Sequence, residues 1–176
     1  MRKFNNHGFT LFELILSLII IAVISTIGIS SYKGVIANQA LSSRANQIYY
    51  TLQFAKSEAI NRNKKIYVQF CQQQLDWRMG LSEDAHCDCF SENSCLLDGI
   101  ETVYELADGK TLLIGQEFLK FTGDQASYGP LRFSVETGSI ILENSEGNAL
   151  SIVQSAMRLR ICAPEKSASL LGYPEC

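Results

Sequence analysis

Two kinds of side chain in this 176-residue sequence could do chemistry, sulfur and isolated charge. His86-Cys87-x-Cys89 followed by Cys95 gathers four donors of the type that bind zinc. The spacing is not that of a zinc finger and no Cys-x-x-Cys accompanies it, so no metal site is expected and disulfides are the better reading in an oxidising compartment. Cys71, Cys87, Cys89, Cys95, Cys162 and Cys176 allow fifteen pairings. Cys162 with Cys176 is the one pair the sequence favours, because it would tether the C-terminal tail; the pairing of the other four stays open. Catalysis has little to work with. His7 and His86 are the two histidines, and there is no P-loop, Gly-x-Ser-x-Gly or His-Glu-x-x-His. No catalytic residue, cofactor or small-molecule substrate is expected, and the chain is not read as an enzyme. Arg158 and Arg160 would share one face of a strand with Leu159 opposite. They could hold phosphates, or be plain solvated arginines, since residues 66–157 carry four basic and fourteen acidic side chains.

The last isolated charge is Glu13, the one charged residue in the apolar run Phe9–Ile29. As a helix those residues would measure about 31 Å, the thickness of a bilayer core. Arg2 and Lys3 precede the run, which places the N-terminus in the cytoplasm and everything after Ile29 beyond the inner membrane. The run is too long for a secretory h-region and no small-x-small cleavage site follows it. A carboxylate at that depth costs about 2.5–3.5 kcal/mol and so needs a partner.

Leu41, Ala45, Ile48, Leu52, Ala55 and Ala59 are spaced 4, 3, 4, 3 and 4, one apolar stripe on a helix that the pattern carries to about Arg62. Beyond residue 65 short β-forming runs appear at Ile66–Cys71, Thr102–Leu106, Leu112–Ile114, Glu117–Phe121, Leu131–Val135, Ser139–Leu142, Ala149–Gln154 and Met157–Cys162, with hairpin connections at Gly138 and Glu146-Gly147-Asn148. The fold class is α+β: a long N-terminal helix, membrane-spanning in its first half, packed against an antiparallel β-domain. The expected divisions are 1–8, a leader; 9–32, the membrane half of the helix; 33–65, its amphipathic half; and 66–176, a β-rich periplasmic domain.

The run His7-Gly8-Phe9-Thr10-Leu11-Phe12-Glu13-Leu14-Ile15 resembles the processing motif of type IV prepilins and type II secretion pseudopilins. The resemblance implies cleavage by a prepilin peptidase between Gly8 and Phe9, N-methylation of Phe9, and pairing of the Glu13 carboxylate with the terminal amine of a neighbouring subunit, an interaction much stronger in lipid than in water. Ser30 stands where many pilins have a proline. Ala55-Lys56-Ser57-Glu58-Ala59-Ile60-Asn61-Arg62 is similar to a helix-end signature of the GspH/FimT group, with Lys56 for its first arginine, and the strand ending at Cys71 followed by Trp77-x-x-Gly80 resembles further elements of that group. The group implies two packed sheets and a structural role: a minor pilin incorporated into or priming a type IV pilus, or an H-type pseudopilin. Its partners would be other pilin subunits, the peptidase and the inner membrane. Relatives that bind DNA carry Gly-Arg-x-Arg near the C-terminus; Met157-Arg158-Leu159-Arg160 matches it apart from the glycine, which implies a third role in DNA uptake. The processing motif makes a direct prediction. The mature protein should begin at Phe9, and Gly8→Ala should leave the leader attached and block assembly, as read by N-terminal sequencing of membrane-extracted protein; a start at Met1 in wild type would refute it.

Overall fold

The computed structural model describes residues 10–107, 112–113, 119–131, 134–164, 167 and 172–176, with the backbone alone described at 26–31, 107 and 112–113. One helix, α1, runs Leu11–Arg62. Contacts divide the chain into two units, 1–36 and 37–176.

In the first unit α1 exposes Leu11, Phe12, Leu14, Ile15, Leu16, Leu18, Ile19, Ile20, Ile21, Val23 and Ile24. Consecutive positions point in all directions around a helix, so the apolar surface is continuous rather than a stripe. The hydroxyls in this segment are satisfied within it: Ser17 Oγ donates to the Glu13 carbonyl and Ser25 Oγ to the Ile21 carbonyl, both at 2.7 Å. Among the described residues no helix is long and apolar enough to cross a membrane. The expected span Phe9–Ile29 reaches past those residues, since Phe9 and the side chains of 26–31 lie outside them.

In the second unit the pattern changes to a buried stripe. Leu41, Ala45, Ile48, Leu52, Ala55 and Ala59 are all 0% exposed, the face that the 3-4 spacing predicts. Two four-stranded antiparallel sheets cover it. The first has the order β5 (Val103–Ala107), β2 (Asp76–Ser82), β1 (Ile66–Gln73), β7 (Gln125–Tyr128). The second has the order β10 (Leu159–Cys162), β9 (Ala149–Gln154), β8 (Gly138–Asn144), β6 (Leu112–Leu113). A separate two-stranded ribbon pairs β3 (Leu96–Leu97) with β4 (Ile100–Glu101). Strand β1 alternates cleanly: Ile66, Val68 and Phe70 enter the core, while Tyr67, Gln69 and Cys71 face away. Met79 and Leu81 of β2, Ile140 and Leu142 of β8, and Leu150 and Ile152 of β9 complete one hydrophobic cluster with the helix stripe.

Three polar connections hold the layers in register. Tyr128 of β7, fully buried, donates to Gln154 Oε1 of β9 at 3.1 Å, a bond from one sheet to the other; burial also pushes its phenol well above the ordinary tyrosine range. Asn38 Oδ1 of α1 accepts from Asn144 Nδ2 and Asn148 Nδ2 at 2.9 Å each. Asn144 Oδ1 in turn accepts the Glu146 and Asn148 backbone N–H groups, which shapes the β8–β9 turn. Phe121 stacks on Phe70 with centroids 5.5 Å apart, and its ring occupies the space above Gly138, where a Cβ would come within 2.3 Å of it.

Several sequence expectations need correction. Glu117–Phe121 is not a strand among the described residues: 117 and 118 lie outside them, and Leu119 makes a single bridge to Ile140. Leu131–Val135 reduces to one bridge, Val135 to Tyr128, with 132–133 outside the described residues. The last strand starts at Leu159 rather than Met157, because the Ser155 N–H and Oγ both donate to the Arg158 carbonyl and close a turn there. Strands β2, β3, β4 and β7 were absent from the expected set. Truncating Ile48 to alanine should cost about 2–5 kcal/mol in a urea titration of the purified chain, the range for deleting a buried aliphatic side chain, whereas Tyr50→Ala, 66% exposed on the same helix, should change stability little.

Candidate functional site

The residues around the N-terminal head come first. Gly8 and Phe9 lie outside the described residues. Thr10 stands immediately before α1, and its Oγ1 accepts the Glu13 backbone N–H at 3.3 Å while its carbonyl accepts the first helical bond from Leu14 at 3.2 Å. Thr10 is therefore the N-cap, and Glu13 occupies the position three residues on that a capping box reserves for Glu or Gln. The carboxylate is exposed, sits in the first turn, where the helix dipole favours an anion, and makes no ion pair among the described residues. Glu13 is thus more than a costly charge in an apolar run: the Thr-x-x-Glu spacing from Thr10 is itself a capping signal in the sequence.

The opposite end of α1 is built around Arg62. Asn63 follows it with φ 52°. The Asn63 N–H bonds to the Ile60 carbonyl and the Lys64 N–H to that of Ala59, the two bonds of a Schellman C-cap. Arg62 Nε donates to Glu58 one turn back at 2.5 Å, and its Nη1 lies 3.6 Å from Glu83 and 3.5 Å from Asp98. Lys64 Nζ donates to Glu83 at 2.6 Å. Glu58 and Arg62 of the helix-end signature thus bind each other and then the end of β2 and the β3–β4 turn. That turn is Asp98-Gly99 with φ 58° and 75°, a type I′ hairpin connection. The Lys64 ammonium, by its hydrogen bond, holds the Glu83 carboxyl below the usual carboxylate range.

The six cysteines form three disulfides: Cys71–Cys89, Cys87–Cys95 and Cys162–Cys176. The last is the expected tail tether. It closes a loop of 14 residues, worth about 3 kcal/mol in the chain-entropy view, and the tail adds backbone bonds from Ala163 to Pro174 and from Cys176 to Ala163. The other two lie on the outer face of the first sheet, away from the helix, where Cys71, Cys87, Cys89, Cys95 and Val103 make a second small cluster. Gly80 is its floor. A Cβ there would come within 2.3 Å of Cys95 Sγ and 3.1 Å of Cys87 Sγ. The Arg78 guanidinium covers the Phe90 ring at 4.5 Å. Asp88 accepts from the Phe90 N–H at 2.9 Å and from Ser91 Oγ at 2.7 Å, and these bonds, the Ser91 one foremost, hold its carboxyl below the usual range. Among the described residues no cluster of His, Cys, Asp or Glu could hold a metal ion.

The two arginines stand in different settings. Arg158 lies in the turn before β10 and is exposed. Arg160, on β10 and half-buried, donates from Nη2 to the Cys176 carbonyl at 3.0 Å. Arg62 and Lys64 at the helix end are likewise engaged, by Glu58, Glu83 and Asp98.

Comparison with known proteins fixes the family. The model of the type II transport protein GspH family matches residues 44–165, more than half of the chain. The chain belongs to the GspH family. The prokaryotic N-terminal methylation motif matches residues 3–29 and so takes in Gly8, Phe9 and Glu13. Among solved structures, the type IV minor pilin FimU of Pseudomonas aeruginosa is similar, with 19% identity over 71% of this chain and 92% of that one and a TM-score of 0.44. No curated protein sequence matches. The GspH family is one of structural pilin and pseudopilin subunits rather than of enzymes, and the methylation motif marks a prepilin-type chain that is processed, anchored at the inner membrane and assembled with others of its kind. In this GspH-family chain the matched region holds the helix stripe from Ala45 onward, the Arg62 network and five of the six cysteines, with Leu41 before it and Cys176 beyond it.

The Glu83 contact has a defined pH dependence. A carboxyl held low in the folded state stabilises it fully above the ordinary carboxylate value of about 4.3, and that contribution disappears as pH falls through the lower folded value. The melting-temperature difference between wild type and Glu83→Gln should therefore be present at pH 7, shrink in high salt, and vanish in acid, where wild type too is uncharged. A difference that persisted in strong acid would remove Glu83 from the ion-pair network.

Proposed function

We propose that this GspH-family chain is a minor type IV pilin, incorporated into the pilus or priming its assembly, and that it does no catalysis. The observation that carries the reading is the first half of α1. An apolar surface that surrounds a helix on every side is stable only inside lipid or a packed helical bundle, and the one charge in it sits five residues after the cleavage position. The leader 1–8 is removed, Phe9 is methylated, residues 9–32 pass from membrane to fibre core, and the domain beyond residue 65 lies in the periplasm, where three disulfides are chemically at home. Glu13 then has two duties: it occupies the capping position of α1, and in the fibre its carboxylate meets a neighbour's Phe9 amine. A second reading, the H-type pseudopilin of a secretion system, is favoured by the description of the matching family; deletion separates the two by which machine fails. Nothing favours the DNA-uptake reading, since Arg160 is committed to the tail.

Charge and cap can be told apart at Glu13. Glu13→Gln retains a residue suited to the capping box, and Glu13→Val does not. Both should insert in the membrane at least as well as wild type, because the charge is gone. If pairing with the amine drives assembly, both should be lost from sheared pili while remaining in the membrane fraction on an immunoblot. Normal incorporation of Glu13→Gln would overturn the pairing, and loss of Glu13→Val alone would leave only the cap.

A further inference from the structure

The two disulfides on the outer sheet face are interlocked in sequence. Cys71 pairs with Cys89 and Cys87 with Cys95, so each loop begins or ends inside the other. Cys87 and Cys89 are separated by Asp88 alone. Exchanging their partners gives Cys71–Cys87 and Cys89–Cys95, two side-by-side loops each two residues shorter than the native 18 and 8. Closure entropy varies only with the logarithm of loop length, so it does not select the native pairing and slightly favours the exchanged one. Order of synthesis favours it too, because Cys87 becomes available to Cys71 before Cys89 does.

What distinguishes the native pairing lies in the folded sheet. The Cys87–Cys95 bridge rests on the backbone of Gly80, whose missing side chain leaves room for both sulfurs. Cys71 is opposite Arg78 in the β1–β2 register and Gly80 is opposite Gln69, so both bridges lie on the same outer face. The Cys89 N–H donates to Cys71 Sγ at 3.1 Å. These contacts exist only once β1 and β2 have paired and the loop lies on them, whereas an oxidant acts on the chain as soon as thiols meet.

We propose that this chain is a substrate of a dithiol-type disulfide isomerase, and that an oxidant alone leaves much of it in the exchanged pairing. In that form all four sulfurs are bonded, and no thiolate remains in the loop to start a rearrangement. An external thiolate attacks Cys95 Sγ, forming a mixed disulfide and releasing Cys89 as thiolate. Cys89 attacks Cys71 Sγ, forming Cys71–Cys89 and releasing Cys87. Cys87 attacks Cys95 Sγ, forming Cys87–Cys95 and expelling the external thiolate. Each exchange makes one S–S bond and breaks one, and there is no net oxidation. The relay is short because the middle two sulfurs are two residues apart. This inference rests on the disulfide map and not on the choice between pilus and secretion system.

The test is reoxidation of the full-length chain in detergent micelles after reduction in denaturant, once with diamide and no thiol, once with protein disulfide isomerase and a glutathione pair. Digestion under non-reducing conditions with a protease that cuts before aspartate splits Cys87 from Asp88-Cys89, and mass spectrometry then reads the pairing. Diamide should give the exchanged isomer in amounts at least equal to the crossed one, and the isomerase should raise the ratio of crossed to exchanged at least about tenfold, as expected when exchange lets the folded seat set the equilibrium. Crossed pairing alone after diamide would overturn the proposal, and so would failure of either treatment to yield it. Gly80→Ala removes the seat and should cut the isomerase-driven enrichment severalfold; enrichment equal to wild type would remove Gly80 as the selecting contact and with it the basis of the inference.

Discussion

The burial of one narrow stripe of α1 governs the rest of the domain. From Leu41 to Ala59 the stripe combines three large and three small residues, and the alanines let the sheets approach the helix while Leu41, Ile48 and Leu52 fill the space between. Once the inner faces of β1, β2, β8 and β9 are committed to that surface, the period-2 alternation of strands sends Tyr67, Gln69 and Cys71 to the other side. The outer face of the first sheet is thus left without a hydrophobic partner. The disulfide-linked loop supplies one, a second core made of sulfur and Val103 rather than of aliphatic side chains.

The same helix serves two solvents. Up to Ile24 it carries apolar side chains all round, and from Leu41 it carries them on one face. Its ends are defined by local hydrogen bonding, Thr10 at the start and the Asn63 cap at the finish. At the far end the cap coincides with the ion-pair network, so the residue that terminates the helix is followed at once by the lysine that binds Glu83. The helix-end signature therefore has a physical content: one ion pair one turn apart, extended across to the hairpin turn at Asp98.

Much of this was legible in the sequence where one strong pattern sufficed. The helix stripe, its end at Arg62, the Glu146-Gly147-Asn148 turn and the tail disulfide all followed from spacing or composition. The losses have definite causes. Strand β2 carries Asp76 and Gly80, residues that depress strand propensity, and at Gly80 the missing side chain makes room for the disulfide. Strand β7, Gln-Ala-Ser-Tyr, has little β character but is buried along its length, which tertiary packing alone decides. Asp98-Gly99 between Leu97 and Ile100 carries a hairpin signal of its own, but the two-residue strands it joins are too short to show an alternating pattern. The expected strand Met157–Cys162 is shorter by two residues at its start, because the Ser155 turn takes up Met157 and Arg158, and strand periodicity does not register a turn closed by a side-chain hydroxyl. Sequence could not decide among Cys71, Cys87, Cys89 and Cys95, since the deciding contact is made by a glycine on another strand.

The position of β1 has a mechanical meaning. It follows α1 after three residues, and it is an inner strand, bonded to β2 from Tyr67 to Gln73 and to β7 from Ile66 to Gln69. Suppose a pull on the helix is passed on through the chain to this strand, along the strand's axis. Hydrogen bonds on both flanks are then loaded side by side, in shear, and must fail together, whereas an edge strand peeled from its end would lose them one at a time. Among the strands of the first sheet, the one next to the helix is thus well placed to bear a pull, and the Cys71–Cys89 bridge near its far end ties it covalently to the loop lying across the sheet.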